Sequence, residues 1–264
     1  PSQVHNSLVD ADNALGFQSQ NHPDGWGVVH YIDGAPHLIR STETANDDKL
    51  FHRVSGVVAS ETVVAHVRKA TQGGNSVLNC HPFQYGRWTF AHNGDIPNFD
   101  GVRQRLIDTI NPHLKRFILG DTDSEVISHL LTNYLISGLD INRAIEKLIK
   151  NLKGAFALGI LISNENKLIA VRKGSPLAIG YGNNQNFIGS DAVGLAPFTK
   201  KISYLEDGDW AILDSEKVSI FNNGDEVKRE INITSVSRLS IEKGGYKHYM
   251  HKEIHEQPTA IGET

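Results

Sequence analysis

Arg68 is the first residue in this chain whose type and position could do chemistry. It follows the apolar run Thr62 to Val67 and opens the stretch Lys69-Ala70-Thr71-Gln72-Gly73-Gly74. A guanidinium at a strand end offers a planar fork matched to a carboxylate, such as the α-carboxylate of an amino acid. The plainer reading is a structural arginine. Further on, Ala91-His92-Asn93-Gly94-Asp95 follows a strand-like segment and would set a side-chain amide beside a backbone N–H. Donors of that kind suit a developing oxyanion, because they are fixed before the charge appears. An Asn-Gly pair is also the strongest short hairpin signal. Asp121-Thr122-Asp123 opens a helix, where the dipole favours a carboxylate with no function required; Asp123 could instead pair with an ammonium group. His81 could line a site. Cys80, the only cysteine, would need a nearby base or a lowered pKa to act as a nucleophile, and a small half-buried thiol is the simpler expectation. The secondary amine of Pro1 has a plainer explanation than catalysis. Taken singly, each of these signals favours its structural reading.

The elements that must position these residues form a mixed α and β pattern in which strands outnumber helices. Apolar spacing predicts a first helix over 4–17 and strands at Trp26 to Tyr31, Pro36 to Arg40, Thr62 to Val67 and Arg87 to Ala91. Helices are expected at about 101–110, 123–137 and 141–152. Thr122 and Glu125 make a capping box for the second of these, and Asp140 caps the third. Strands return at Ala155 to Ile162, Lys167 to Arg172, Leu177 to Tyr181, Asn186 to Gly189, Asp209 to Leu213 and Val218 to Phe221. Turns are expected at His22-Pro23-Asp24-Gly25, Asn164-Glu165-Asn166, Gly182-Asn183-Asn184 and Asn222 to Asp225. The pattern suggests layered sheets with helices outside. From about 232 the chain turns polar and aromatic, as in a connector.

The bulk properties limit the function classes. With 264 residues and 39% hydrophobic residues, the chain can bury a sizeable core, and one domain is favoured. The net charge is -4, from 26 Lys+Arg and 30 Asp+Glu, without a dense basic tract, so a nucleic-acid partner is not expected. No apolar run approaches the roughly 18 residues of a membrane span, so no membrane partner is expected, and the default is a soluble, cytoplasmic protein. Thirteen histidines show no metal-ligand motif, so neither metal nor cofactor is expected. Met250 is the only methionine, so the reading expects the encoded start to lie upstream of Pro1.

Jointly, the order and spacing of the motifs resemble the type 2 glutamine amidotransferases of the N-terminal-nucleophile hydrolase superfamily, over nearly the whole chain from Val4 to Thr264. His22-Pro23-Asp24-Gly25-Trp26-Gly27 and Asn79-Cys80-His81-Pro82-Phe83 look like the small stand-alone members. Gly120 to Glu125, Lys153-Gly154-Ala155-Phe156, Arg172 to Leu177, Phe187-Ile188-Gly189-Ser190-Asp191 and the tail Tyr246 to Pro258 resemble the glutaminase domain of glucosamine-6-phosphate synthase. The resemblance implies an α+β fold, a four-layer αββα sandwich with two central antiparallel sheets. It implies a domain over 1–240 whose N-terminal strand is missing, and a connector at 241–264 leading toward a sugar-phosphate isomerase domain or subunit.

It also implies hydrolysis of L-glutamine to glutamate and ammonia for amino-sugar synthesis. Arg68, with Thr71, would hold the substrate α-carboxylate, Asp123 its α-ammonium group, and His81 would line the site. Asn93 and Gly94 would form the oxyanion hole. The family nucleophile is an N-terminal cysteine, whose thiolate forms a γ-glutamyl thioester with its own α-amino group as base. The sequence begins with Pro1 instead, so this chain as written is expected to be inactive. Lys69 stands where the synthase has an aromatic residue and Gln72 where it has a histidine, so loop closure is expected to differ. A homodimer is compatible with this reading. The alternatives are a non-catalytic glutamine-binding or scaffold domain and a stand-alone amidohydrolase of a γ-glutamyl compound. A join between family flavours near 100–120 also permits a recombined chain.

Overall fold

The computed structural model describes residues 3–11, 14–58, 60, 62–86, 88–162 and 167–234. The expected turn at Asn164-Glu165-Asn166 and the connector at 241–264 lie outside the described residues. The first strands are β1 (Trp26–Ile32), β2 (Ala35–Ser41) and β3 (Val63–Val67), joined in the order β2-β1-β3 with antiparallel pairing throughout. Asp33 and Gly34 link β1 to β2 at φ 51° and 75°, the left-handed pair that a two-residue hairpin needs. The short helices α1 (Gln3–His5) and α2 (Leu15–Gln18) and the longer α3 (Lys49–Val57) cover the outer face of this sheet. There Leu8, Trp26, Val28, Phe51, Val54 and Val67 make one buried cluster.

Two of these helices depart from expectation. The single helix expected over 4–17 is broken: the chain leaves helical geometry at Ala11 (φ -68°, ψ 145°) and doubles back. A Cβ at Gly16 would lie 3.1 Å from the Leu8 carbonyl oxygen, so the fold-back uses the one residue without a side chain. Helix α3 was not anticipated, although its signal is present. Asp48 caps it by accepting from the Leu50 N–H at 2.7 Å, and Phe51, Val54 and Val58 follow at helical spacing.

The chain continues through β4 (Phe83–Tyr85) and β5 (Trp88–Asp95) into α4 (Phe99–Asp108), α5 (Pro112–Lys115), α6 (Asp123–Ile136) and α7 (Ile141–Asn151). Then come β6 (Ala155–Ile162), β7 (Lys167–Lys173), β8 (Ala178–Tyr181), β9 (Asn186–Gly189), α8 (Ala192–Leu195) and β10 (Lys201–Tyr204). β11 (Trp210–Leu213), β12 (Val218–Asn222), β13 (Asp225–Val227) and β14 (Asn232–Ile233) complete the described elements. One sheet has seven strands, in the order β13-β12-β11-β7-β6-β5-β4, and another has four, in the order β14-β10-β8-β9.

Strand alternation assigns the two faces of the seven-stranded sheet. Phe90, Phe156, Leu158, Ile160, Val171 and Trp210 point to α4–α7 and share one large core with Val126, Leu130, Ile145 and Leu148. Ala157, Ala170, Ala211 and Leu213 point the other way and pack on Ile179 of β8, while Leu161 meets Val29 and Val64 of β1 and β3. Outside the four-stranded sheet, α8 buries Ala192 and Leu195 against Ala178 and Ile202. Helices, sheet, sheet and helices therefore stack in four layers of an α+β sandwich. The second sheet layer is divided into a three-stranded and a four-stranded piece.

The capping predictions divide as well. The Thr122 hydroxyl accepts from the Glu125 N–H at 3.3 Å, as a capping box requires. The Glu125 carboxylate does not return to Thr122, and instead accepts from the Leu119 and Gly120 N–H groups at 3.0 and 2.7 Å. Asp140 caps α7 through the Arg143 N–H at 2.9 Å.

Candidate active site

A cleft of about 1120 Å³ opens where the three sheets approach one another, and Arg68, Thr71, His81, Asn93, Gly94 and Asp123 all line it. The three-stranded sheet delivers Arg68 just past β3. Its backbone pairs with the turn before β1: Arg68 N–H donates to the Gly25 carbonyl at 2.7 Å, and Asp24 N–H donates to the Arg68 carbonyl at 3.0 Å. The guanidinium is 3% exposed. Its Nη2 donates to the Gln72 carbonyl at 2.8 Å and the Gly73 carbonyl at 3.3 Å, while Nη1 is buried and unpartnered among the described residues. An unsatisfied charged donor in that position favours an anion. Thr71 lies exposed on the loop beyond it. The same loop is pinned at Ala70 N–H by the Asp24 carboxylate at 2.8 Å and at Gln72 Nε2, which donates to Asp95 Oδ1 at 2.8 Å.

Asn93 and Gly94 do not form the turn that an Asn-Gly pair suggests. β5 runs on to Asp95, and β6 pairs with it along its length, with Asn93 opposite Ala157 and Gly94 opposite Phe156. Gly94 has φ 138°, and a Cβ there would lie 2.1 Å from the Ala155 carbonyl oxygen. Only glycine fits, because L side chains avoid that backbone region and the neighbouring strand leaves no room. The Asn93 amide points into the cleft, with Oδ1 2.9 Å from His66 Nε2 and Nδ2 donating to Ser190 Oγ at 3.0 Å.

Asp123 opens α6 and is 2% exposed. Its Oδ2 accepts from the Ile96 N–H at 2.9 Å and its Oδ1 from the Ser124 hydroxyl at 3.2 Å. Behind them His92 Nδ1 donates to Ser124 Oγ at 2.8 Å, so a buried relay fixes the carboxylate. Burial pushes the Asp123 pKa up, partly offset by these hydrogen bonds. A bound ammonium group would restore the charged form. His81 lies 4.3 Å from the His66 ring and 4.8 Å from Phe83, centroid to centroid. Neither of its ring nitrogens has a partner among the described residues, and burial holds its pKa well below the usual histidine value. It is therefore a neutral wall.

Cys80 does not line the cleft. It is fully buried, with Sγ 3.3 Å from the Ser41 carbonyl oxygen. Burial raises its pKa, against the opposing pull of Arg68 and Arg40, so the thiol is a packing group. A Cβ at Gly25 would come within 2.5 Å of its sulfur. The described residues contain no group of three or more His, Cys, Asp or Glu able to hold a metal ion. The reading from residues overlooked His66, His92 and Ser190. The two histidines stood inside stretches already singled out, but their scatter along the chain hid that alternation brings His66 to face Asn93.

Residues 11–180 match the family model for class-II glutamine amidotransferases. The chain belongs to that family. It is 44% identical over 203 residues to the glutamine–fructose-6-phosphate aminotransferase (isomerizing) of Zymomonas mobilis, covering 76% of this chain. To the protein of the same name from Bartonella henselae it is 43% identical over 264 residues, covering 98% of this chain. It spans only 33% and 41% of those relatives' lengths. The fold is shared with a class-II glutamine aminotransferase domain protein from Silicibacter pomeroyi, at TM-score 0.60 and 23% identity over 75% of this chain and 90% of that one. Glutamine phosphoribosylpyrophosphate amidotransferase from B. subtilis superposes at TM-score 0.61 and 21% identity, over 86% of this chain and 52% of that one.

Proposed function

We propose that the cleft of this class-II amidotransferase domain binds L-glutamine by both ends of its amino-acid group. The side-chain amide would then lie against Asn93 and Gly94 for hydrolysis to glutamate and ammonia. The observation that carries the reading is the pairing of an unpartnered buried Arg68 Nη1 with a buried Asp123 carboxylate in one cleft with a polar amide. An α-carboxylate satisfies the first and an α-ammonium group the second. The γ-amide then reaches donors placed before charge develops. Thr71 would add a hydroxyl to the carboxylate end, and His81 would close the wall without adding charge.

Hydrolysis needs a nucleophile, and among the described residues Cys80 is sealed away from the cleft. The ammonia would pass to a sugar phosphate, as the names of the relatives suggest, held by a further domain or subunit in the cytoplasm. No helix of the described residues is long and apolar enough to cross a membrane.

Calorimetric titration of residues 1–264 tests the reading. L-Glutamine should bind, and glutaramate, which lacks the ammonium group, should bind far more weakly. Arg68→Ala should weaken L-glutamine binding about ten- to a hundredfold, the value of a hydrogen bond to a charged group. Equal affinity for glutaramate, or an unchanged Arg68→Ala affinity, would overturn it.

A further inference from the structure

Asn93 is held by groups from outside its own sheet, and the chemistry of those groups fixes which end of its amide meets the cleft. His66 stands on β3 of the three-stranded sheet, and Ser190 follows β9 of the four-stranded sheet. Each lies within 3.0 Å of one end of the amide. Two arrangements fit such distances. In one, His66 donates from Nε2 to Oδ1 and the amide NH2 faces Ser190 and the cleft. In the other, the amide is turned over, donates to an unprotonated His66 Nε2, and presents its carbonyl.

The buried Nδ1 of His66 decides between them. It makes no well-formed hydrogen bond among the described residues, the His92 backbone interacting with the ring only as the smallest of the influences on it, and the neighbouring His81 ring, 4.3 Å away, has no partner for either of its own nitrogens. A neutral imidazole carries one proton. With the amide turned over, that proton sits on Nδ1 as a buried donor without a well-placed acceptor, which native structures rarely tolerate. With the proton on Nε2, Nδ1 keeps only a lone pair, and the donor is satisfied by Asn93. Enclosure lowers the His66 pKa to about 4, so the ring is neutral at physiological pH and the choice of tautomer applies.

We infer that His66 is a positioning residue which, with Ser190, locks the Asn93 amide so that its NH2 is turned to the cleft. One amide proton is held by Ser190 and the other is left for the substrate oxygen. Ser190 is itself anchored, because the next residue, Asp191, accepts from the Gly194 N–H at 2.8 Å at the start of α8. Reversal of the amide would set a carbonyl oxygen against a developing oxyanion. The inference rests on the proposed glutaminase reading for its catalytic consequence, but not for the orientation itself.

Two measurements test it separately. Nitrogen-15 NMR of the His66 ring at pH 7 should show the proton on Nε2, and a proton on Nδ1 would overturn the inference whatever the enzyme does. His66→Leu should lower kcat for glutamine hydrolysis about tenfold to a hundredfold, the scale of a misplaced catalytic group. KM should hold, and His66→Gln, which keeps a donor, should recover most of the rate. An equal loss in both variants, or a rise in KM alone, would sink the locking role. If the wild-type protein releases no ammonia while the ring carries its proton on Nε2, the glutaminase reading falls and the orientation stands.

Discussion

β5 separates two interiors built on opposite rules. On one face Phe90 and the neighbouring Phe156 and Leu158 of β6 enter a continuous apolar core under α4–α7. On the other, Thr89 meets the Tyr31 hydroxyl at 3.0 Å and Asn93 sits between His66 and Ser190. The helical interior is held by buried area and tolerates few polar groups. The inter-sheet interior spends part of its area on polar groups whose partners come from different sheets. One strand can serve both because its side chains alternate. Along β5 the even-numbered Phe90 serves the core and the odd-numbered Thr89 and Asn93 face the other sheets; His92 is the exception, an even position whose ring reaches Ser124 of α6 beside the cleft.

The sharpest way to break that comparison is to damage only the apolar face. Leu148→Ala, on α7 at a site with no exposure and away from the cleft, should cost about 2–5 kcal/mol of stability, read as a lower urea midpoint. Glutamine affinity at saturating fold should be unchanged; a loss of affinity without a loss of stability would show that the two faces are not independent.

A smaller effect should appear with pH and come from the buried histidines around the cleft. His66 and His92 both fall from an ordinary 6.5 to about 4, chiefly by burial. Between those values the unfolded chain binds protons that the folded chain refuses, so stability rises with pH across the window. Their contribution is complete above pH 6.5 and is lost as pH falls toward 4. Asp123 acts in the opposite direction, since its raised pKa makes ionisation costly above the unfolded value near 4. Denaturant midpoints measured from pH 7 to pH 4 should fall, and His92→Gln should flatten the slope; an unchanged slope would remove His92 from the account.

The smallest effect belongs to the outer edge of the helical layer. Asp140→Ala removes the cap on the Arg143 N–H and should cost about 1 kcal/mol by the same measurement, with glutamine binding untouched.

Much of this division was legible in the residues. The strands from Ala155 to Phe221, the cap at Thr122, and the cap at Asp140 follow from alternation and capping chemistry, which are local. The residues singled out as Arg68, Thr71, His81, Asn93, Gly94 and Asp123 do line one cleft, a fact that only the motif order foretold. What escaped was non-local. The Asn93-Gly94 pair reads as a turn until β6 is there to extend β5 past it. The break near Ala11 depends on Gly16 meeting a carbonyl from its own fold-back. The division of the second sheet layer depends on which strands leave their edges unpaired, and no periodicity encodes that.

The cleft draws Arg68 from one sheet edge, Asn93 from a second sheet and Asp123 from the start of α6, segments that meet only after distant pairings have closed. Glutamine would then act as a thermodynamic tie among separately folded parts. At a hundred times its dissociation constant it would add about 2.7 kcal/mol to the folded state. A solution rich in glutamine would thus hold this domain together more firmly than one without it, so that resistance to unfolding would follow ligand supply.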